Sequence, residues 1–432
     1  MITRITLEQI YQFLLIALAF AFPLTVSGGN ILAIAIVVLW LFSGDYRSKF
    51  DQILDNKISL ACLVFFALHV VGLLWTEDIE WGLHIIKKMW KLLLLLPILL
   101  TITGQEHRQN YMSAFLLAMT ISELCSYLIW FEIIPPFKHA SVGNPTPFTD
   151  HISYNPLLAF AVYLLGYELL MNKCLRRARR YTYLIFAITM SINMFITGGR
   201  AGHVMYFSML VILIFQYFEA RKITAFLTAL IVVPAVFLAA YQLSPLFKYR
   251  TDSAVRTIVD YQEKTNSTGS ETESNTDSTN ENNPKTPNEA HFRILGTGLG
   301  LRMTFVINSF EIFKNNPLFG VGTGDFPGEY KIMNQLNTSH LPDTVNPHNM
   351  YALEAVQFGL LGLFGLLAIF YYQFRWALSS SDRFTRDVGI ALPALFMIIM
   401  LAESYLLGHF TTFLFTFCSA FLYKNPQRIA NG

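Results

Sequence analysis

Charge is scarce in this sequence. Of 432 residues only 14% are Asp, Glu, Lys or Arg, where soluble domains carry about 25%; 53% are hydrophobic and mean hydropathy is +0.43. That shortage excludes a soluble domain and makes the chain an integral membrane protein. A formal net charge of +2, spread along the chain, gives no basic face for nucleic acid. Cysteine is also scarce. Cys62, Cys125, Cys174 and Cys418 lie in apolar stretches or beside a basic loop, so neither a disulfide framework nor a cysteine metal site is expected. No Asp-x-Asp occurs, and Glu271-Thr272-Glu273 sits in a tract without large apolar residues; the site of a metal-dependent sugar-nucleotide transferase is therefore not visible. The inverted repeat and interrupted midplane helices of many transporters are missing too, although His69 and Glu123 fall near mid-stretch, where ionisable groups can serve transport.

What the chain has in abundance is apolar runs near the 17–25 residues that cross a bilayer. They lie near Ile10–Thr25, Ile31–Ser43, Ile58–Trp75, Lys91–Thr103, Tyr111–Ile133, Pro156–Met171, Tyr181–Thr197, Gly202–Phe218 and Ile223–Tyr241, then Tyr351–Tyr372, Val388–Tyr405 and His409–Tyr423. The expectation is an all-α integral membrane protein of about twelve transmembrane helices. Residues 1–241 hold nine, 351–432 hold three, and 242–350 form a large loop. With both termini inside, 17 basic residues fall on the inner side and 5 in the short outer loops and helix ends, which puts the long loop outside. An Ala19-Phe20-Ala21 tripeptide resembles a signal-peptidase site, but the apolar run that follows at once favours an uncleaved helix.

Within the loop, residues 265–289 carry no large apolar side chain and are expected to be disordered. Residues 299–314 show Met303, Val306, Ile307, Phe310 and Phe313 at helical spacing, an amphipathic helix on the membrane surface with Arg302 near its start.

Four features of the outer side carry candidate chemistry. Arg200 sits in the tight turn Thr197-Gly198-Gly199-Arg200-Ala201-Gly202, whose glycines permit close backbone approach to a ligand; its guanidinium suits a phosphate, and equally a helix cap or lipid headgroups. Arg302 suits headgroups still better. His348 lies in Asn346-Pro347-His348-Asn349, with Asn346 as cap, Pro347 at the first helical position and His348 in the first turn. There the helix dipole favours neutral imidazole, the form a general base needs, though contact with headgroups or backbone serves a histidine as well. The preceding Gly320-Val321-Gly322-Thr323-Gly324 would let backbone approach a substrate. Glu403, near the outer end of its helix, is placed to orient His348, whereas Glu354 points to another face. Finally His84, Lys87, Lys88 and Lys91 are spaced i, i+3, i+4, i+7 on one face against the charge rule. They suit either phosphate recognition or snorkelling.

The Gly-Gly-Arg turn, the Arg-led helix, NPLFGVGTGDF and NPHNMYALEAVQFGLLGL together resemble the O-antigen ligase and polymerase superfamily of Gram-negative inner membranes. The resemblance covers most of the chain in topology, with its specific motifs in 197–202 and 301–362. It implies a fold similar to the GT-C type of lipid-linked glycosyltransferase, a multi-pass inner-membrane protein with its site facing the periplasm, and no cofactor. The implied partners are a glycan donor on undecaprenyl diphosphate, a lipid A-core acceptor and membrane lipid. His348 corresponds to the family's essential histidine, and Arg200 and Arg302 to its arginines; Glu403 matches more loosely, as a substrate-site acid, and Lys87, Lys88 and Lys91 are the further candidates for substrate phosphate. A polymerase or a protein O-oligosaccharyltransferase would use the same donor groups. The 265–289 tract is unusual for the family.

Overall fold

Lipid offers no hydrogen bonds, so a chain crossing it must satisfy its backbone internally, and helices do so residue by residue. The computed structural model describes residues 6–267 and 298–424, and among them every extended regular element is helical. In order these are α1 (Leu7–Ala21), α2 (Val26–Phe42), α3 (Tyr46–Asp55), α4 (Lys57–Val71), α5 (Ile79–Trp90), α6 (Leu96–Ile102), α7 (Arg108–Trp130), α8 (His151–Met171), α9 (Arg177–Ile196), α10 (Arg200–Phe218) and α11 (Lys222–Leu243). Then follow α12 (Pro245–Ser267), α13 (Gly298–Asn315), α14 (Phe326–Asn337), α15 (Met350–Ser379), α16 (Arg383–Ile399) and α17 (His409–Leu422).

Helix occupies each of the twelve apolar stretches, yet six helices are long and apolar enough to cross a membrane, or seven if the pair α2 and α3, bent by 119°, is one span. The stretch from Lys91 begins no helix of its own. Lys91–Leu95 is a π-helical turn that joins α5 to α6. Of the 265–289 tract, residues 265–267 end α12 and the rest lies outside the described residues.

Position in the bundle follows composition. Every residue of α17 from Phe410 to Leu422 is buried, as expected for a helix apolar all round. The most apolar window of α11 is only 11% buried; its Leu230 and Ile231 point outward and suit a lipid boundary.

The element that positions the site is α15, which is not continuous. At Gly359 the backbone turns to φ 61°, ψ −145°, a region open essentially to glycine alone. An unbroken helix would pair the Val356 and Gln357 carbonyls with the amides of residues 360 and 361. Here the Pro317–Gly322 loop replaces both sides. Val321 and Gly322 donate to the Val356 and Gln357 carbonyls at 2.9 and 3.0 Å, while Leu360 and Leu361 donate to Pro317 and Leu318 at 2.8 and 3.5 Å. The approach is so close that a Cβ on Gly320 would stand 2.3 Å from the Gln357 carbonyl carbon. The glycine-rich string expected to line a substrate therefore seals a broken helix.

Its end is held as firmly. The buried Asp325 carboxylate accepts from the Thr76 hydroxyl at 2.6 Å and from the Glu77 and Asp78 amides at 2.9–3.0 Å, bonds to a charged group worth about 1.5–3 kcal/mol each. Thr323 donates to the His69 carbonyl at 2.6 Å. Glu354 faces away from His348, its Oε2 lying 3.8 Å from His69 Nε2. Together these contacts tie the connection between α13 and α14 to α4, α5 and α15.

A side chain at Gly359 should break this seal, because its Cβ would lie 2.5 Å from the Leu318 carbonyl carbon. Gly359→Ala is expected to lower the thermal unfolding midpoint in detergent markedly, whereas Gly328→Ala, with open space at its Cβ inside α14, should leave it unchanged or raise it. Equal midpoints for the two variants would contradict the seal.

Candidate functional site

The N-terminal end of α15 meets the turn after α16. Asn349, not Asn346, is the cap: its side chain accepts from the Ala352 amide at 3.0 Å, and the helix begins at Met350. His348 thus precedes the helix rather than occupying its first turn, and holds φ at 52°, the left-handed region that costs a bulky residue energy unless its surroundings impose it. Those surroundings are explicit. The His348 amide donates to Asn346 Oδ1 at 2.9 Å, Asn346 Oδ1 also accepts from the Ser404 hydroxyl at 2.8 Å, and the Met350 amide donates to the Met400 carbonyl at 2.9 Å.

Because α16 stops at Ile399, Glu403 stands on that turn rather than near a helix end. Its Oε2 lies 2.6 Å from His348 Nδ1, and its Oε1 accepts from the Ser404 amide at 3.1 Å. A carboxylate accepts only, so Nδ1 carries a hydrogen, and in the neutral ring Nε2 is the nitrogen with a lone pair.

Helix α13 completes this corner. Arg302 reaches Glu403 Oε2 at 3.5 Å, and one turn on, Phe305 stacks on the His348 ring at 6.0 Å between centroids. The inward face of α13 mixes small and polar residues, Gly300, Thr304, Asn308 and Ser309, with the apolar Phe305 and Ile312, all buried. Met303, Ile307 and Phe310 of the expected apolar stripe point out of the protein, the orientation a membrane-surface helix requires.

Arg200 opens α10 immediately after Gly199. The glycines of its turn approach protein here. A Cβ on Gly202 would meet the Asn155 side chain of α8 at 2.4 Å, and Asn155 itself donates to the Gly198 carbonyl at 2.7 Å while accepting from Thr197. Arg200 Nη2 donates to Ser253 at 3.0 Å, and its Nε is buried without a partner. The charges of Arg250 and Arg302 both act on Arg200 and on His151, which brings three guanidinium groups to one region. Arg250 was not singled out from the sequence. The available signal was Lys248 and Arg250 directly after an apolar stretch.

The lysine stripe is carried by α5 and the π-helical turn that follows it, and α5 packs against the 405–407 turn just after Glu403. Among the described residues no hydrogen bond or ion pair links the side chain of Lys87, Lys88 or Lys91 to the arginines, His348 or Glu403, and Lys91 lies over the Phe413 ring at 5.5 Å. On α5, burial and the charges of Lys88 and Lys87 hold the His84 imidazole below its ordinary pKa. No group of three or more His, Cys, Asp or Glu side chains that could hold a metal ion occurs among the described residues.

No curated protein matches the sequence. Residues 185–367 match the family model described as O-antigen ligase, and that segment contains Arg200, Arg250, Arg302 and His348, while Glu403 lies beyond it. The match covers rather less than half of the chain, and over those residues the chain is similar to the O-antigen ligase family.

Proposed function

We propose that the protein is an O-antigen ligase, transferring a glycan from undecaprenyl diphosphate to the lipid A-core oligosaccharide by inverting glycosyl transfer without a metal. The observation that carries this reading is the 2.6 Å contact of His348 Nδ1 with a carboxylate that also meets Arg302. It leaves Nε2 as a base beside a cluster of cations. The acceptor hydroxyl oxygen attacks the anomeric carbon as its proton passes to His348 Nε2. The bond from that carbon to the diphosphate oxygen breaks, and the diphosphate leaves with the electron pair. Arg200 and Arg302 meet the growing negative charge with paired hydrogen bonds. Glu403 fixes the imidazole tautomer and steadies the cation formed on it. Lys87, Lys88 and Lys91 would meet phosphates of the lipid-anchored acceptor.

In this reading the apolar stretches form about twelve spans of a GT-C-like bundle in a bacterial inner membrane, and residues 242–350 lie in the periplasm. A lipopolysaccharide gel of a deletion strain tests the activity directly. Loss of all O-antigen bands with accumulation of lipid-linked polymer is the ligase outcome; a band with a single repeat would make the protein a polymerase.

His348→Ala is expected to insert and fold, bind the lipid-linked donor, and transfer about 10²–10⁴-fold more slowly, the loss typical of a general base. Glu403→Gln should lower kcat while leaving donor binding in place. Parallel measurement of binding and transfer in purified protein checks both variants, and normal transfer by His348→Ala would make the histidine structural.

Arg200→Lys keeps the charge but loses the planar two-bond grip on phosphate. Transfer should fall at least tenfold through a raised donor KM. Native kinetics in this variant would reduce Arg200 to a helix-end anchor.

A further inference from the structure

The start of α12 is fixed to the bundle. The Ser244 hydroxyl donates to the Phe195 carbonyl of α9 at 2.7 Å and accepts from the Phe247 amide at 3.1 Å. The Phe247 ring packs edge-on against Phe195 at 5.2 Å and against His203 of α10 at 4.7 Å between centroids. Three residues further, on the same helical face, Arg250 is directed at the Arg200 turn, where its Nη2 would lie 3.6 Å from a Cβ placed on Gly198.

Arg250 Nε, like Arg200 Nε, is buried without a hydrogen-bond partner. Among the described residues neither guanidinium forms an ion pair, and the nearby carboxylates are engaged elsewhere: Glu403 with His348 and Arg302, Asp252 with the Tyr241 hydroxyl at 2.7 Å, and Asp150 with the Ser153 amide at 3.0 Å. Buried donors without partners cost free energy, and like charges held together add to that cost. An anion with several oxygens removes both penalties at once.

We propose that Arg250 is a third donor-binding residue, acting with Arg200 and Arg302 on the diphosphate of the lipid carrier and favouring a lipid diphosphate over a lipid monophosphate. This rests on the assignment of Arg200 and Arg302 to the diphosphate. A diphosphate brings a second set of oxygens within reach of the third guanidinium, which a monophosphate lacks. Arg250 is thereby a specificity residue that separates the loaded carrier from a monophosphate lipid sharing its chain.

The test uses the purified full chain in detergent, with geranylgeranyl diphosphate and geranylgeranyl monophosphate as probes. Arg250→Gln should weaken diphosphate binding at least tenfold, as expected for loss of charge-assisted hydrogen bonds, and monophosphate binding less than threefold. Donor KM should rise, acceptor KM should stay constant, and the unliganded protein should unfold at the same or a higher temperature, because a like-charge contact has been relieved. Arg250→Lys, which keeps charge and stem, should also bind the diphosphate more weakly, and it decides the matter if the Gln variant does not fold. Native diphosphate affinity in the Arg250 variants, with clear loss in Arg200→Gln and Arg302→Gln, overturns the role of Arg250 alone. Equal weakening for the two probes overturns the selectivity, and unchanged affinity in all three Gln variants overturns the arginine reading of the donor site itself.

Discussion

A helix interrupted inside an apolar bundle must have its freed amides and carbonyls taken up by other backbone, and that requirement organises the end of this protein that holds the polar corner. Two carbonyls and two amides released at Gly359 are paired with the Pro317–Gly322 loop. The loop is locked in turn by Asp325 on the amides of Glu77 and Asp78. Helix α13 ends just before this loop, so the seal in α15 also fixes the helix that carries Arg302 and Phe305. The polar corner containing His348 depends on backbone pairing more than one helical turn away from it.

Around that corner the electrostatics are deliberately unequal. Three guanidinium groups and an imidazole share a region where Glu403 is the carboxylate that pairs with two of them. Held apart from carboxylates, Arg200 and Arg250 retain donors for a ligand, whereas a fully neutralised cluster would have none to offer. The left-handed backbone at His348 has the same character: local strain is tolerated because Asn346, Met400 and Ser404 over-determine the segment.

Much of the helical architecture was legible in the sequence, because apolar runs in lipid have little alternative to helix. The number of spans was less so. Length and hydropathy do not separate a helix facing lipid from one enclosed by its neighbours, as α17 is, and they pass over a π-helical turn such as Lys91–Leu95 that fuses two segments. The site was partly legible. Arg200, Arg302, His348 and Glu403 were visible as polar groups at apolar boundaries, but the cap was misplaced from Asn349 to Asn346, because Asn-Pro is as good a local start signal as the Asn that the tertiary contacts use.

By itself, the sequence determined that the chain is helical and membrane-embedded, where its polar boundary residues lie, and that residues 299–314 would present an apolar stripe, since composition and periodicity act locally. Tertiary structure alone decided what the glycines touch, which face of α13 turns inward, and that Arg250 joins Arg200 across two helices. These are consequences of packing between segments far apart in the chain, and a glycine that admits a ligand reads the same in sequence as a glycine that admits a neighbouring backbone.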